Sequence, residues 1–154
     1  MQLSTNGLDK LKTLEGLKLV PYRDSGGRLT VGYGHLIRLL DAITPSTTID
    51  EDRATSLLVE DVSYTEMSVG KIVTSTVNQN QFDAMVLFAY NVGVNNFASS
   101  TLLKMVNLSQ FDTAADEFMR WDKIHTSNGM YVEVAGLVNR RQAEKDLFMT
   151  SSES

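Results

Sequence analysis

Leu8, Leu11 and Leu14 fall three residues apart between Thr5 and Leu14, a spacing that lines one face of a helix. Ser4 or Thr5 stands where an N-cap is needed, and Glu15-Gly16 stands where the helix should stop. From Val20 to Leu36 the pattern changes. Tyr22, Leu29, Thr30, Val31 and Tyr33 are β-formers interrupted by Ser25-Gly26-Gly27, which predicts a hairpin turning at the glycines. Beyond Thr44-Pro45 and a polar stretch to Thr48, Asp50 caps a long helix whose apolar residues Ala54, Leu57, Leu58 and Val62 keep helical spacing to about Val73.

Asn78 with Gln81 three residues later is a capping-box pattern. The helix it opens carries Phe82, Met85, Val86, Phe88, Ala89 and Val92, apolar almost all round, and so belongs at the centre of a core. Gly93 ends it. A shorter helix follows around Ser100 to Val106, and Ser109 with Asp112 opens another that carries Phe111, Ala114, Ala115, Phe118 and Trp121. His125 to Gly129 reads as a loop, Gly136 to Met149 as a last helix presenting Leu137, Leu147 and Phe148, and Ser151 to Ser154 as a frayed polar end. The sum is an α+β fold. A small lobe over about 15–50 is joined by a helix over about 51–73 to a helical lobe over about 74–150, which also takes the N-terminal helix 4–14.

Composition narrows the chemistry. With 154 residues, 42% hydrophobic and 21% charged, the chain buries about 70% of its extended surface and folds without staples. The absence of Cys removes disulfides, thiol nucleophiles and Cys-ligated zinc, and two histidines, His35 and His125, make a poor metal set; no cofactor or metal is expected. The N-terminus is polar from Gln2, and no apolar run nears the ~20 residues of a membrane span. This predicts synthesis in the cytoplasm, no signal peptide and no stable membrane association. A net charge of −5 argues against a nucleic-acid partner. The charge is uneven. Residues 1–38 carry Lys10, Lys12, Lys18, Arg23, Arg28 and Arg38 against Asp9, Glu15 and Asp24, whereas residues 39–69 carry seven acids against Arg53 alone.

Glu15 sits at the C-terminal end of an amphipathic helix, where the helix dipole and apolar neighbours both favour a protonated carboxyl, as a general acid needs. Such a glutamate is equally an ordinary solvated helix end. Asp24, nine residues on, precedes the glycine turn, where it serves either as an Asx turn former or as the second carboxylate of a glycosidase pair.

Leu14-Glu15-Gly16, Tyr22-Arg23-Asp24, Gly27 and Thr30-Val31-Gly32-Tyr33-Gly34-His35 together resemble the N-terminal motif of the phage-type lysozymes, the endolysins that cut bacterial peptidoglycan. The resemblance continues through Asn78-Gln79-Asn80-Gln81-Phe82-Asp83-Ala84, Asn91-Val92-Gly93, Ser100-Thr101-Leu102-Leu103 and Gly136-Leu137-Val138-Asn139-Arg140-Arg141 with Glu144, Leu147 and Phe148. It covers nearly the whole chain and implies a single lysozyme-like domain over 1–154. It further implies hydrolysis of the β-1,4 bond between N-acetylmuramic acid and N-acetylglucosamine, with Glu15 as general acid and Asp24 and Thr30 holding the attacking water. The family resembles the inverting glycosidases, whose carboxyls stand about 6.5–9.5 Å apart.

Leu36, Tyr90 and Asn91 fall where the resemblance puts cleft-facing residues, although Tyr90 is equally a core candidate. Arg140 or Arg141 is expected near Glu15, His35 in a structural pair with an acid such as Asp61, and Trp121 in the helical lobe. With no export signal, the resemblance implies dependence on a holin for access to the wall, action in the periplasm, and a monomer. The basic first segment lies on the motif while the whole chain is acidic, so activity should depend less on salt than in a basic lysozyme. Two rivals stand beside this reading. A lytic transglycosylase would use Glu15 alone, and a silent glycan-binding relative would keep the fold without the reaction.

Overall fold

Residues 1–125 and 129–151 are described by the structure, a computed structural model. Their chain path forms two units, one of residues 8–64 and one that combines residues 1–7 with the chain from 65 onward.

In the unit of residues 8–64, helix α1 (Thr5–Glu15) enters from its first turn and ends at Gly16, whose N–H bonds the Lys12 carbonyl at φ +74°. Three antiparallel strands follow: β1 (Lys18–Arg23), β2 (Leu29–Gly32) and β3 (His35–Leu36), in that order across the sheet. The β1–β2 hairpin turns at Asp24–Gly27 as the glycines require, with Asp24 N–H bonded to the Arg28 carbonyl and Gly27 N–H to the Asp24 carbonyl, both at 2.9 Å. Strand β3, two residues long, adds a third strand to the expected hairpin. A 3-10 turn (Leu39–Asp41) leads to α2 (Glu51–Ile72), which Asp50 caps by accepting from Arg53 N–H at 2.7 Å. Gly32, at φ +69°, is where the sheet meets α2. A Cβ there would stand 3.2 Å from Ala54 Cβ, so only glycine lets strand and helix come this close. Leu11, Val31, Tyr33, Ile49, Ala54, Leu57, Leu58 and Val62 are the buried hydrophobic residues of this unit.

The other unit is built on α3 (Gln79–Val92), opened by the expected reciprocal box of Asn78 and Gln81 and closed at Gly93. Every residue from Phe82 to Ala89 is buried, as its all-round apolar pattern requires. Helices α4 (Val94–Ala98), α5 (Thr101–Asn107) and α6 (Phe111–Glu117), a 3-10 turn (Phe118–Trp121) and a hairpin of β4 (Lys123–His125) with β5 (Tyr131–Glu133) lead to α7 (Ala135–Met149), which packs along α3. Ser109 does not open α6. It adopts φ +58° at the end of α5, where its N–H bonds the Val106 carbonyl, and Gln110 becomes the N-terminal flank. The loop expected at His125–Gly129 starts later, because His125 is the last residue of β4 and pairs with Tyr131; 126–128 lie outside the described residues, as does the polar end beyond 151.

The first residues are tied into this second unit. Ser4 N–H and Oγ both donate to Asp83, Ser4 Oγ accepts from Gly7 N–H at 3.0 Å, and Leu3 N–H donates to Glu66 at 2.6 Å. Ser4 is thus the N-cap of α1. Gly7 has its own reason to be glycine, because a Cβ would stand 2.6 Å from the fully buried Asp83 carboxylate.

Candidate active site

Glu15, Asp24, Thr30 and Leu36 all belong to the unit of residues 8–64; Tyr90, Asn91 and Arg140 belong to the other. Glu15 is the last residue of α1 and is half-buried. Its Oε2 lies 3.7 Å from where a Cβ on Gly34 would stand, so the acid rests against bare backbone at the β2–β3 turn, where Gly34 has φ +79°. The two glycines of the Gly-Tyr-Gly segment thus have different reasons: Gly32 admits α2, and Gly34 takes the left-handed turn that runs beside the Glu15 carboxylate.

Asp24 is fixed by its own turn. Oδ1 accepts from the N–H groups of Gly26 (2.9 Å) and Arg28 (2.8 Å), and Oδ2 pairs with Arg28 Nε at 3.2 Å. The backbone N–H of Arg28, with the guanidinium charge and the Gly26 N–H adding to it, holds the carboxyl below its ordinary value, so it is a carboxylate across the neutral range. Turn former and charged group are one residue here; the two functions weighed for Asp24 are compatible. Arg28, which carried no motif signal, is what orients it. Thr30 lies in the central strand and is 2% exposed, its hydroxyl donating to the Arg28 carbonyl at 2.9 Å. The hydroxyl proton is thereby committed, which leaves the oxygen as an acceptor.

His35 is held from both sides: Nδ1 lies 2.7 Å from Asp61 Oδ2 and Nε2 lies 2.7 Å from Asp41 Oδ2. The Asp61 pairing is the one anticipated; Asp41 was not foreseen. Asp41 also accepts from Arg38 N–H at 2.7 Å and from Arg38 Nη2 at 2.8 Å, and its carbonyl accepts from Arg53 Nη2 at 3.3 Å. The Arg38 guanidinium, aided by His35, holds the Asp41 carboxyl far below the usual range against the opposing effect of burial. Because that folded value lies under the ordinary value near 4, the stabilisation is complete at neutral pH, begins to fade below about pH 4 and vanishes only beneath the folded value. Asp41→Asn is thus expected to cost about 1.5–3 kcal/mol at pH 7 and progressively less below about pH 4. Thermal melts of both proteins across that range check this; a stability gap that stays constant down to about pH 3 contradicts it.

In the other unit, Tyr90 is half-buried and Asn91 exposed, and the Asn91 amide oxygen accepts from Arg141 Nη2. Arg140 donates to Glu144 Oε2 at 3.1 Å and to the Leu87 carbonyl at 2.9 Å. Arg141 donates to Glu144 Oε1 at 2.6 Å and to the Trp121 carbonyl at 3.1 Å. Trp121 is half-buried with its ring edge-on to Phe88, centroids 5.6 Å apart, so it packs within this unit as expected.

Among the described residues no helix is long and apolar enough to cross a membrane. The phage lysozyme family matches residues 12–144. An endolysin of Acyrthosiphon pisum secondary endosymbiont phage 1 is 37% identical over 96% of this chain and 98% of its own length. The endolysin of Salmonella phage P22 is 35% identical over 97% of this chain and 99% of its own. Among solved structures, an endolysin from Escherichia coli O157:H7 phage FAHEc1 superposes with a TM-score of 0.91 at 35% identity, over 100% of this chain and 97% of the other. The family match, the relatives over nearly the whole chain and the superposition agree: the chain belongs to the phage lysozymes and is a glycoside hydrolase that cleaves peptidoglycan.

Proposed function

We propose that the enzyme hydrolyses the β-1,4 bond between N-acetylmuramic acid and N-acetylglucosamine, with Glu15 as general acid and Asp24 and Thr30 positioning the water. The observation that supports this is the seat of Glu15 against Gly34, which puts the acid beside the sheet that carries Thr30, with Asp24 at that sheet's first turn. Glu15 gives its proton to the bridging oxygen as the bond breaks. Thr30 Oγ1, having spent its proton on the Arg28 carbonyl, accepts one hydrogen of the attacking water; Asp24, ionised, accepts the other as the new C–O bond forms. The sugar that keeps the bridging oxygen leaves as an alcohol carrying the Glu15 proton, the other keeps the water's oxygen as a new reducing end, and the proton taken by Asp24 passes through solvent to restore Glu15.

The chain acts as a monomer, and in the unit that carries Glu15, Asp24 and Thr30 the exposed Leu36 is the candidate glycan contact, whereas Arg140 is buried in its own unit on Glu144 and the Leu87 carbonyl. It is made in the host cytoplasm, reaches the periplasm through a holin lesion and lyses the host. Product analysis on purified peptidoglycan tests the reaction. Reducing ends carrying one added water are expected. Anhydro-muramoyl ends would assign a lytic transglycosylase instead, and no release of fragments would assign a glycan binder.

A further inference from the structure

We infer that Tyr22 is a substrate-positioning residue whose ring forms, with Leu36, an apolar platform for a sugar ring beside Thr30; this rests on the reading of Asp24 and Thr30 given above. Tyr22 pairs with Thr30 across β1 and β2, and Thr30 pairs with Leu36 across β2 and β3. Directly opposed residues of antiparallel strands lie on one face with Cβ atoms about 4.5–5.5 Å apart, so Tyr22, Thr30 and Leu36 form a single row across the sheet. The ladder continues past Tyr22 through the Asp24 N–H bond to the Arg28 carbonyl, and strand alternation puts Asp24 on the same face.

The opposite face is the packed one. There Val31 pairs with His35, at 0% and 2% exposure, and His35 is bonded to Asp61 of α2. On the open face Tyr22 is 36% and Leu36 41% exposed, and they flank a threonine that is buried. The Tyr22 hydroxyl has no hydrogen-bond partner among the described residues, so no polar tie explains the residue. A pyranose presents an apolar C–H face, and an exposed ring next to a carboxylate and a hydroxyl acceptor is matched to that mixture of surfaces.

The test uses Glu15→Gln as a non-cleaving background and a tetrasaccharide of alternating N-acetylglucosamine and N-acetylmuramic acid as the probe, titrated calorimetrically. Adding Tyr22→Ala is expected to weaken binding about tenfold, with Tyr22→Phe and Tyr22→Trp restoring it to within about twofold and Tyr22→Leu failing to do so. In the active enzyme, Tyr22→Ala should raise KM about tenfold with a smaller change in kcat and no change in Tm. Unaltered binding in Tyr22→Ala, or rescue by Leu equal to that by Phe, overturns the assignment. The two readings fail separately. Cleavage by Glu15→Gln would remove the acid and leave the KM of Tyr22→Ala in the otherwise unaltered enzyme as the test of the platform; wild-type kinetics in Tyr22→Ala with a dead Glu15→Gln would remove only the platform.

Discussion

Glu15→Gln is expected to lower kcat/KM on peptidoglycan by about 10³-fold or more while leaving the melting temperature within about 1 °C of the parent. The amide has the size of the acid and fits the same half-buried place at the end of α1, but it has no proton to give to a departing alkoxide. Without that proton the leaving sugar departs as an anion, and the difference between these two leaving groups is what general acid catalysis supplies. The loss should appear in kcat and kcat/KM alike, because the interaction removed is made in the transition state. Fragment release followed by mass spectrometry, alongside thermal melts, measures both parts. Retained cleavage, or a large drop in Tm, would sink the assignment, the first by showing that Glu15 is dispensable and the second by showing that it is a structural residue.

The means by which Glu15 and Asp24 are held were only partly legible in the sequence. The helix from Thr5 to Glu15, its cap at Ser4 and the glycine turn after Asp24 follow from local rules, and so does the Asn78–Gln81 box that opens the most buried helix. Strand β3 was not legible, because two residues cannot display a period of two. The β4–β5 hairpin escaped for the same reason: its strands of three residues each, with Tyr131 to Glu133 all exposed, offer no alternation against a core. Ser109 misled because a serine before an acidic residue is a sound cap signal, yet the turn that closes α5 had already claimed it for a left-handed conformation.

Within the candidate site the pattern repeats. Asp24 and Thr30 are residue types that announce polar chemistry, but Arg28, which supplies a backbone N–H and a guanidinium to one and a carbonyl to the other, is an unremarkable exposed arginine until the hairpin closes. Asp41 reaches His35 only because the 3-10 turn folds back on β3, a contact between positions six apart in no periodic element. Tyr22 belongs here too. Its neighbourhood depends on strand register, and a slip of one residue would put it on the other face.

The second large effect concerns stability. Arg140, Arg141 and Glu144 form a buried cluster on α7 with Glu144 between the two guanidiniums, its side chain 0% exposed. Burial pushes the Glu144 carboxyl up, and the Arg141 and Arg140 charges pull against it. Glu144 is bonded to both guanidiniums, one on each carboxylate oxygen. Glu144→Ala removes the buried carboxylate that both guanidiniums are bonded to, and is expected to destabilise the fold by about 3–5 kcal/mol, or a fall in Tm of about 10 °C. Arg141→Met should cost less. It leaves the Arg140–Glu144 pair intact, and the replacement keeps an unbranched chain where the Arg141 guanidinium now stands 5.0 Å from the Phe88 ring centroid. Its penalty comes from the Trp121 carbonyl and the Asn91 amide oxygen, which lose a donor, at about 1–3 kcal/mol. Urea titrations of the two variants decide the matter. If Arg141→Met proves the more damaging, charge balance is not what organises the cluster, and its hydrogen bonds to Trp121 and Asn91 are.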